Sequence, residues 1–287
     1  MKPPPFDYVA PESLDEAVGL LAADEVDAKV LAGGQSLVPL LSMRLAHPDL
    51  LVDLRRIEGL DSIAHDGETI VVGAMATQHD AETNHLLHEL CPLVPDAMRY
   101  VAHPQIRNRG TVGGSVAHAD PAAELPAVIV ALDAKVRVAG TGPTREVAAA
   151  DLYTTTMTTT LEPDEVLTAV AFQAIAPGTG TACVEVARRA GDYAMCGGVA
   201  QVTVADDSFS DVRLALFGIS DTPVRISHVE DALRGGHAAP EAIASATAAT
   251  TEGIELKGDP RLDQDYSRHL ASVVAKRSLQ RALERTK

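Results

Sequence analysis

Tryptophan is absent from this chain, and the other aromatics are few: four Phe and five Tyr in 287 residues. Its cores therefore have to be built from Ala, Val, Leu and Ile. Cysteine is scarce as well. Cys91, Cys183 and Cys196 are scattered and odd in number, which fits neither a disulfide framework nor a C-x-x-C metal site. Three thiolates are too few for a four-cysteine iron–sulfur cluster, and a reducing cytoplasm is their simplest compartment. Positive charge is in deficit, with 24 Lys and Arg against 40 Asp and Glu for a net charge of −16. That balance argues against nucleic acid, whose binding needs a cationic face, and against an anionic membrane surface. In so acidic a chain, backbone N–H groups hold a phosphorylated ligand more readily than a lysine–arginine cluster would. No run approaches the roughly 20 apolar residues needed to cross a bilayer, and the stretch from Met1 to Asp7 lacks the apolar core of a signal peptide. G-x-G-x-x-G and G-x-x-x-x-G-K-[ST] are both missing, which excludes the nucleotide loops of Rossmann and P-loop proteins.

What the chain does have is two glycine pairs with the same local grammar. The first lies in Val30-Leu31-Ala32-Gly33-Gly34-Gln35-Ser36-Leu37 and the second in Gly110-Thr111-Val112-Gly113-Gly114-Ser115-Val116-Ala117. Each follows a short apolar stretch and leads into polar residues. Adjacent glycines let the backbone turn with positive φ and let a ligand approach without meeting a Cβ. Successive N–H groups in such a turn form an anion-binding concavity. Two of them point to a ligand with two phosphates, such as a dinucleotide, held between converging loops. Ser36 and Ser115 follow the pairs, where a hydroxyl serves either a phosphate oxygen or its own turn.

With 46% hydrophobic and 22% charged residues, the chain reads as a soluble globular protein, and its length implies two or three domains. A strand at Phe6–Val9, a helix capped by Ser13 with Glu16 at N3, a strand from Lys29 to Ala32, a short helix kinked at Pro39 and a strand at Leu50–Leu54 make a small α/β unit, 1–57. A second unit, 58–176, opens with a hairpin over Ser62–Ala74 turning at Asp66-Gly67. It continues with a helical stretch interrupted by Pro92 and Pro95, a helix over Pro121–Ala131 capped by Asp120, and strands at Ala134–Val138 and Glu165–Phe172. The threonine-rich run from Thr154 to Thr160 reads as a surface loop or edge strand. Past a break at Pro177-Gly178-Thr179-Gly180, the third unit, 177–287, has three strands (182–188, 198–205, 211–219) and then helices near 227–235, 240–252 and 265–286. Strands followed by helices imply an α+β domain.

Gly140-Thr141-Gly142 and Gly178-Thr179-Gly180 read as turns. His79, His85 and His88 lie near Asp80, Glu82 and Glu89, a cluster that a solvent-facing helix explains more simply than a metal does. No nucleophile elbow or acid–base dyad marks a catalytic residue. Tyr193, in Gly191-Asp192-Tyr193, is either a structural tyrosine or a ring that stacks on a planar ligand. The last helix is locally basic through Arg268, Lys276, Arg277, Arg281, Arg285 and Lys287, which makes it a solvated face or a docking helix.

These stretches, with Ala117-His118-Ala119-Asp120-Pro121-Ala122-Ala123-Glu124-Leu125-Pro126-Ala127, Arg188-Arg189-Ala190-Gly191-Asp192-Tyr193-Ala194 and Asp265-Tyr266-Ser267-Arg268-His269-Leu270, resemble the FAD-binding medium subunits of the molybdenum hydroxylases, the carbon monoxide dehydrogenase and xanthine dehydrogenase family. The resemblance spans essentially the whole chain. It implies an α+β, PCMH-type FAD-binding fold of two α/β subdomains followed by a C-terminal three-stranded antiparallel sheet with helices. It also implies FAD in a split site. Ala32, Gly33, Gly34, Gln35, Ser36 and Leu37 would wrap the pyrophosphate from one side, and Thr111, Gly113, Gly114 and Ser115, with Ala117 beyond them, from the other. Val101 and Ala102 would touch the flavin. Glu124 would bond near the adenosine and ribityl portions, Leu167 would flank a ring edge, and Tyr193 would lie over the isoalloxazine.

By the same resemblance, molybdopterin belongs to a large partner subunit and two [2Fe–2S] clusters to a small one, in an (LMS)2 heterohexamer. The chain would pass their electrons through FAD to an external acceptor. Gln35 and Leu40-Leu41 depart from the Gly-Gly-His-Ser and methionine-rich pattern of carbon monoxide dehydrogenases, so the expected substrate of the complex is an N-heterocycle or a related small molecule. A carbon monoxide dehydrogenase subunit, a stand-alone FAD oxidoreductase and a non-redox scaffold are the competing readings.

Overall fold

The computed structural model describes residues 2–256 and 262–286. In the first unit, strands β1 (Asp7–Val9), β2 (Ala28–Leu31) and β3 (Leu50–Asp53) alternate with helices α1 (Leu14–Leu21) and α2 (Leu37–Ser42). The sheet is parallel, in the order β1-β3-β2. Ser13 caps α1, its hydroxyl accepting from Glu16 N at 3.2 Å. Glu16 reaches back to the N–H of Glu12 rather than to that of Ser13, so the expected capping box is only half closed. Buried Ala17, Val18 and Leu21 pack α1 onto Leu50 and Val52, an aliphatic core of the kind a Trp-free chain requires.

The second unit opens with the expected hairpin, β4 (Ile63–Asp66) and β5 (Thr69–Gly73), with Gly67 at φ +63° in its turn. The helical stretch that follows resolves into three pieces, α3 (Gln78–Thr83), α4 (His85–Leu90) and α5 (Leu93–Met98). Asn84 separates the first two, and its side chain caps α4. Pro95 sits in the first turn of α5, where it disrupts no helical hydrogen bond. Then come α6 (Pro104–Arg107), α7 (Val112–His118), α8 (Glu124–Ala131), β6 (Lys135–Ala139), β7 (Arg145–Ala148), a small ladder of β8 (Tyr153–Thr155) with β9 (Thr158–Thr159), and β10 (Val166–Gln173).

Two expectations are corrected here. Strand β7 was not anticipated. Helix α8 begins at Glu124, not Pro121, because Asp120 spends its carboxylate on the N–H of Ala122 at 2.9 Å and closes a turn instead of capping the helix. The antiparallel sheet runs β4-β5-β10-β6-β7.

In the third unit, β11 (Thr179–Val186), β12 (Cys196–Ala205) and β13 (Ser208–Phe217) form the expected antiparallel meander, and β14 (Val224–Arg225) adds a fourth strand. Gly178 turns with φ +74°, but Thr179 and Gly180 already belong to β11 and are not the turn expected of them. Helices α9 (Ser227–Leu233), α10 (Pro240–Ala246) and α11 (Gln264–Glu284) follow. The sheet is covered on both faces. Leu270, Val274 and Leu279 of α11 pack against Ala182, Ala200 and Leu216, whereas Cys183, Val199 and Phe217 join the core of the second unit with Leu125 and Ile129 of α8. Just past α11, the half-exposed Arg285 pairs with Asp96 and donates to the Thr181 carbonyl. Lys287 lies outside the described residues.

Candidate functional site

The two glycine pairs converge, but they are built differently. Gly34 turns with φ +74°, and a Cβ there would meet only side chains, Val38 Cγ2 at 3.3 Å and Leu31 Cδ1 at 3.4 Å, whereas Gly33 is pressed against the second unit. A Cβ on Gly33 would lie 2.2 Å from the carbonyl oxygen of Arg109 and 2.7 Å from the Cα of Gly110. Gln35 donates back to the Gly33 carbonyl at 3.1 Å. Ser36 stands at the start of α2 without a side-chain cap bond, and Leu37 is half-buried. Within the described residues, the backbone N–H groups of Gly33, Gly34, Gln35 and Ser36 have no partner. They are free donors beside this junction.

The second pair is not a turn. Thr111 is the N-cap of α7, its hydroxyl accepting from Gly114 N at 3.1 Å, and Gly113 and Gly114 occupy the first helical turn. Val112 N and Gly113 N bond to the carbonyls of Ala76 and Ala74, both at 2.9 Å, and Ser115 N bonds to that of Thr111. All four donors are therefore already used, which corrects the expectation of a second N–H nest. The glycines serve close packing instead: a Cβ on Gly113 would lie 2.5 Å from that of Ala74, and one on Gly114 would lie 3.5 Å from that of Ala32. Ala117, further along α7, is exposed.

Next to this junction, Val101 and Ala102 leave α5 in a constrained turn, Ala102 having φ +40°. Arg107 holds it. This buried guanidinium forks onto Glu82 at 2.8 and 3.2 Å and donates to the Val101 carbonyl at 2.9 Å. A pair separated by 25 residues leaves no local sequence signal: Glu82 was noted only beside the histidines, and Arg107 was not anticipated. Gln78 was also missed. It is buried, its N–H donates to the Gly110 carbonyl at 2.8 Å, and its side-chain oxygen has no partner.

The third unit closes one end. Gly191, at φ +84°, approaches so closely that a Cβ there would lie 2.5 Å from the His103 ring and 2.9 Å from the Ala102 carbonyl oxygen. Two residues on, Tyr193 is 73% exposed. Its phenol is pushed above the usual range by desolvation and then by the charges of Asp120 and Glu124, which places all three groups in one region. Glu124 is buried at the start of α8. Burial first, and then the Glu185 carboxylate, raise it to about 8, and burial raises Glu185 to about 7. Leu167 stands apart from this convergence, its side chain enclosed in the core of the second unit.

Among the described residues, no group of three or more His, Cys, Asp or Glu is arranged to hold a metal. The ring of His88 is bonded to the Glu82 carbonyl. No helix of the described residues is long and apolar enough to cross a membrane.

The chain resembles known proteins over nearly its whole length. Residues 4–172 match the FAD binding domain in molybdopterin dehydrogenase, and residues 182–282 match the CO dehydrogenase flavoprotein C-terminal domain. The chain is 37% identical to the 6-hydroxypseudooxynicotine dehydrogenase complex subunit alpha of Paenarthrobacter nicotinovorans, with 100% of this chain and 97% of that protein covered. It is 36% identical to the carbon monoxide dehydrogenase medium chain of Hydrogenophaga pseudoflava, with 99% of each covered. It superposes on quinoline 2-oxidoreductase from Pseudomonas putida 86 with a TM-score of 0.94 at 36% identity, over 99% of each chain. The chain therefore belongs to the FAD-binding, electron-transferring medium subunits of the molybdenum hydroxylases, oxidoreductases whose molybdenum and iron–sulfur centres reside in partner subunits.

Proposed function

We propose that FAD lies in the cleft where Gly33 meets Arg109 and Gly110, and that the chain carries electrons from the [2Fe–2S] clusters of a small partner subunit to an external acceptor. The observation that carries this reading is the free row of N–H groups from Gly33 to Ser36, facing a backbone junction that a single Cβ would fill. In a chain of net charge −16, such donors receive a pyrophosphate without a basic cluster. Ala32 to Leu37 hold it from one side. Thr111, Gly113, Gly114, Ser115 and Ala117 bound it from the other, where the Ser115 hydroxyl replaces the N–H groups already committed to α7. Val101, Ala102 and Tyr193 form the flavin end, Glu124 bonds the portion between, and Leu167 supports the ring edge from the core. Bound there, FAD supplies the redox chemistry, and the residues around it bind, orient and shield it.

The working assembly is (LMS)2, with a large molybdopterin subunit and a small iron–sulfur subunit, in the cytoplasm. The chain divides at 57 and 176 into two FAD-binding units and a C-terminal unit. The proposed substrate of the complex is an N-heterocycle. Gln35 and Leu40-Leu41 support this, as do the relatives named for 6-hydroxypseudooxynicotine and for quinoline.

Purification of the complex tests the reading directly. It should show flavin absorption and release FAD on denaturation, and a complex without flavin would refute the cofactor assignment. Oxidation of an organic donor by the isolated chain would instead mark a stand-alone enzyme.

A further inference from the structure

We infer that the cavity between the second and third units is a second binding site, built for a small, uncharged, planar heterocycle with a hydrogen-bond donor and acceptor side by side, as in a cyclic amide. Gln201 reads that edge.

The cavity arises from a change of character along one sheet face. Residues directly opposite on neighbouring strands share a face, as do residues two apart on one strand. Cys183, Val199 and Ala215 form one cross-strand row, and they pack into the core of the second unit. The next row along is Thr181, Gln201 and Arg213, and after it come Thr179, Thr203 and Asp211. The face thus turns from apolar to polar, and a cavity of about 290 Å³ opens where it does. Buried Gln201 and Leu132 line its interior. Ala174, Ile175 and Ala176, in the segment joining β10 to β11, supply an apolar wall. None of the lining residues belongs to the proposed FAD cleft.

The polar groups decide what fits. Gln201 is only 8% exposed, and among the described residues its side-chain amide has no hydrogen-bond partner. A buried amide is normally paired, and leaving it unpaired is costly. Its neighbours are already committed. The hydroxyls of Thr179 and Thr203 bond each other at 2.8 Å, and the Ser210 hydroxyl donates to the Thr203 carbonyl at 3.1 Å. Arg213 donates through Nε to Asp211 at 2.8 Å and through Nη1 to the Leu132 carbonyl at 3.1 Å, with Asp133 at 3.3 Å. Two carboxylates therefore balance its charge, and the cavity does not select an anion. What remains open is the donor and acceptor of Gln201 and the Nη2 of Arg213. A glutamine amide pairs bidentately with the donor–acceptor edge of a planar ring, which is how it reads adenine. Arg213 adds a donor for a further ring acceptor, and the apolar wall covers the ring face. The volume lies at the small end of the range for ligand sites and suits a compact ring.

The test uses the full chain and uracil, a planar uncharged lactam, followed by calorimetry. The wild type should bind it with a Kd of about 1 mM or tighter, a strength within reach of a ligand of so few atoms. Dimethyluracil keeps both carbonyls but has lost its N–H donors, and it should bind about tenfold more weakly because the Gln201 oxygen stays unpaired. Gln201→Leu keeps the bulk and removes the amide, and should weaken uracil by about tenfold as well. Ala176→Trp leaves Gln201 intact and should block entry from the exposed rim, with chemical denaturation showing that both variants are folded. No uptake of uracil by the wild type, equal affinity for uracil and dimethyluracil, or wild-type affinity in either folded variant would each overturn the site. Tighter binding of benzoate than of uracil would overturn the uncharged class. FAD retained on purification should be the same in the wild type and Gln201→Leu, and its loss from the variant alone would overturn the separateness of the two sites.

Discussion

Gly33-Gly34 and Gly113-Gly114 share a sequence pattern but not a structure. The first pair is a true turn, with a positive φ at Gly34 and N–H groups left open as far as Ser36. The second is the first turn of a capped helix, its donors consumed by Thr111, Ala74 and Ala76. One side of the cleft thus supplies the hydrogen bonds, and the other supplies a surface flat enough to come close. Glycine is required for conformation at Gly34 and for space at Gly33 and Gly113. The same residue answers two different physical demands.

Substitutions separate those demands. The largest effect is expected for Gly113→Ala, whose methyl would meet the backbone of Ala74 at 2.7 Å. Overpacking against a strand end that cannot yield should cost about 3 kcal/mol, outweighing the helix-propensity gain, and chemical denaturation of the chain will measure it. Next is Gly33→Ala. Its methyl must push the first unit away from the Arg109 carbonyl, with an expected cost of about 2 kcal/mol and loss of FAD from the purified complex. Full FAD content in a folded Gly33→Ala chain would sink the idea that this junction sets the cleft. Thr111→Ala removes the α7 cap and should cost about 1 kcal/mol. It should also leave Gly114 N free, so that a gain in FAD affinity beside the stability loss would show that the second pair can be turned into a donor. Gly34→Ala should likewise cost about 1 kcal/mol, chiefly through left-handed strain, with the methyl also crowding Val38 Cγ2 at 3.3 Å. The smallest effect is expected for Ser36→Ala. With no cap bond to lose, its unfolding free energy should change by less than about 0.5 kcal/mol, and any loss of FAD affinity then reports the hydroxyl's contact with the ligand.

The comparison also shows what the sequence could reveal. The pairing of the glycine stretches was legible because their composition is unusual, and so were the hairpin at Gly67 and the antiparallel meander of the third unit, where alternation and turn residues agree. The helical character of the second pair was not, because Thr-Val-Gly-Gly-Ser fits an N-cap as well as a loop, and the choice is made by the carbonyls of Ala74 and Ala76 from a distant strand end. The start of α8 was misplaced for a related reason: Asp120 has two competing backbone donors within reach, and the turn won. Arg107, Gln78 and Glu185 were invisible. Each becomes significant only through a partner many residues away, and none carries a local pattern.

The contact of Gly33 with Arg109 and Gly110 has one further consequence. Main chain lies there against main chain, with no side chain between. The width of the gap is thus set by the thickness of a peptide unit, a dimension that neither rotamer changes nor substitutions elsewhere can adjust. The two halves meet like the jaws of a gauge with a hard stop, so a side chain of any size at Gly33 has to part them.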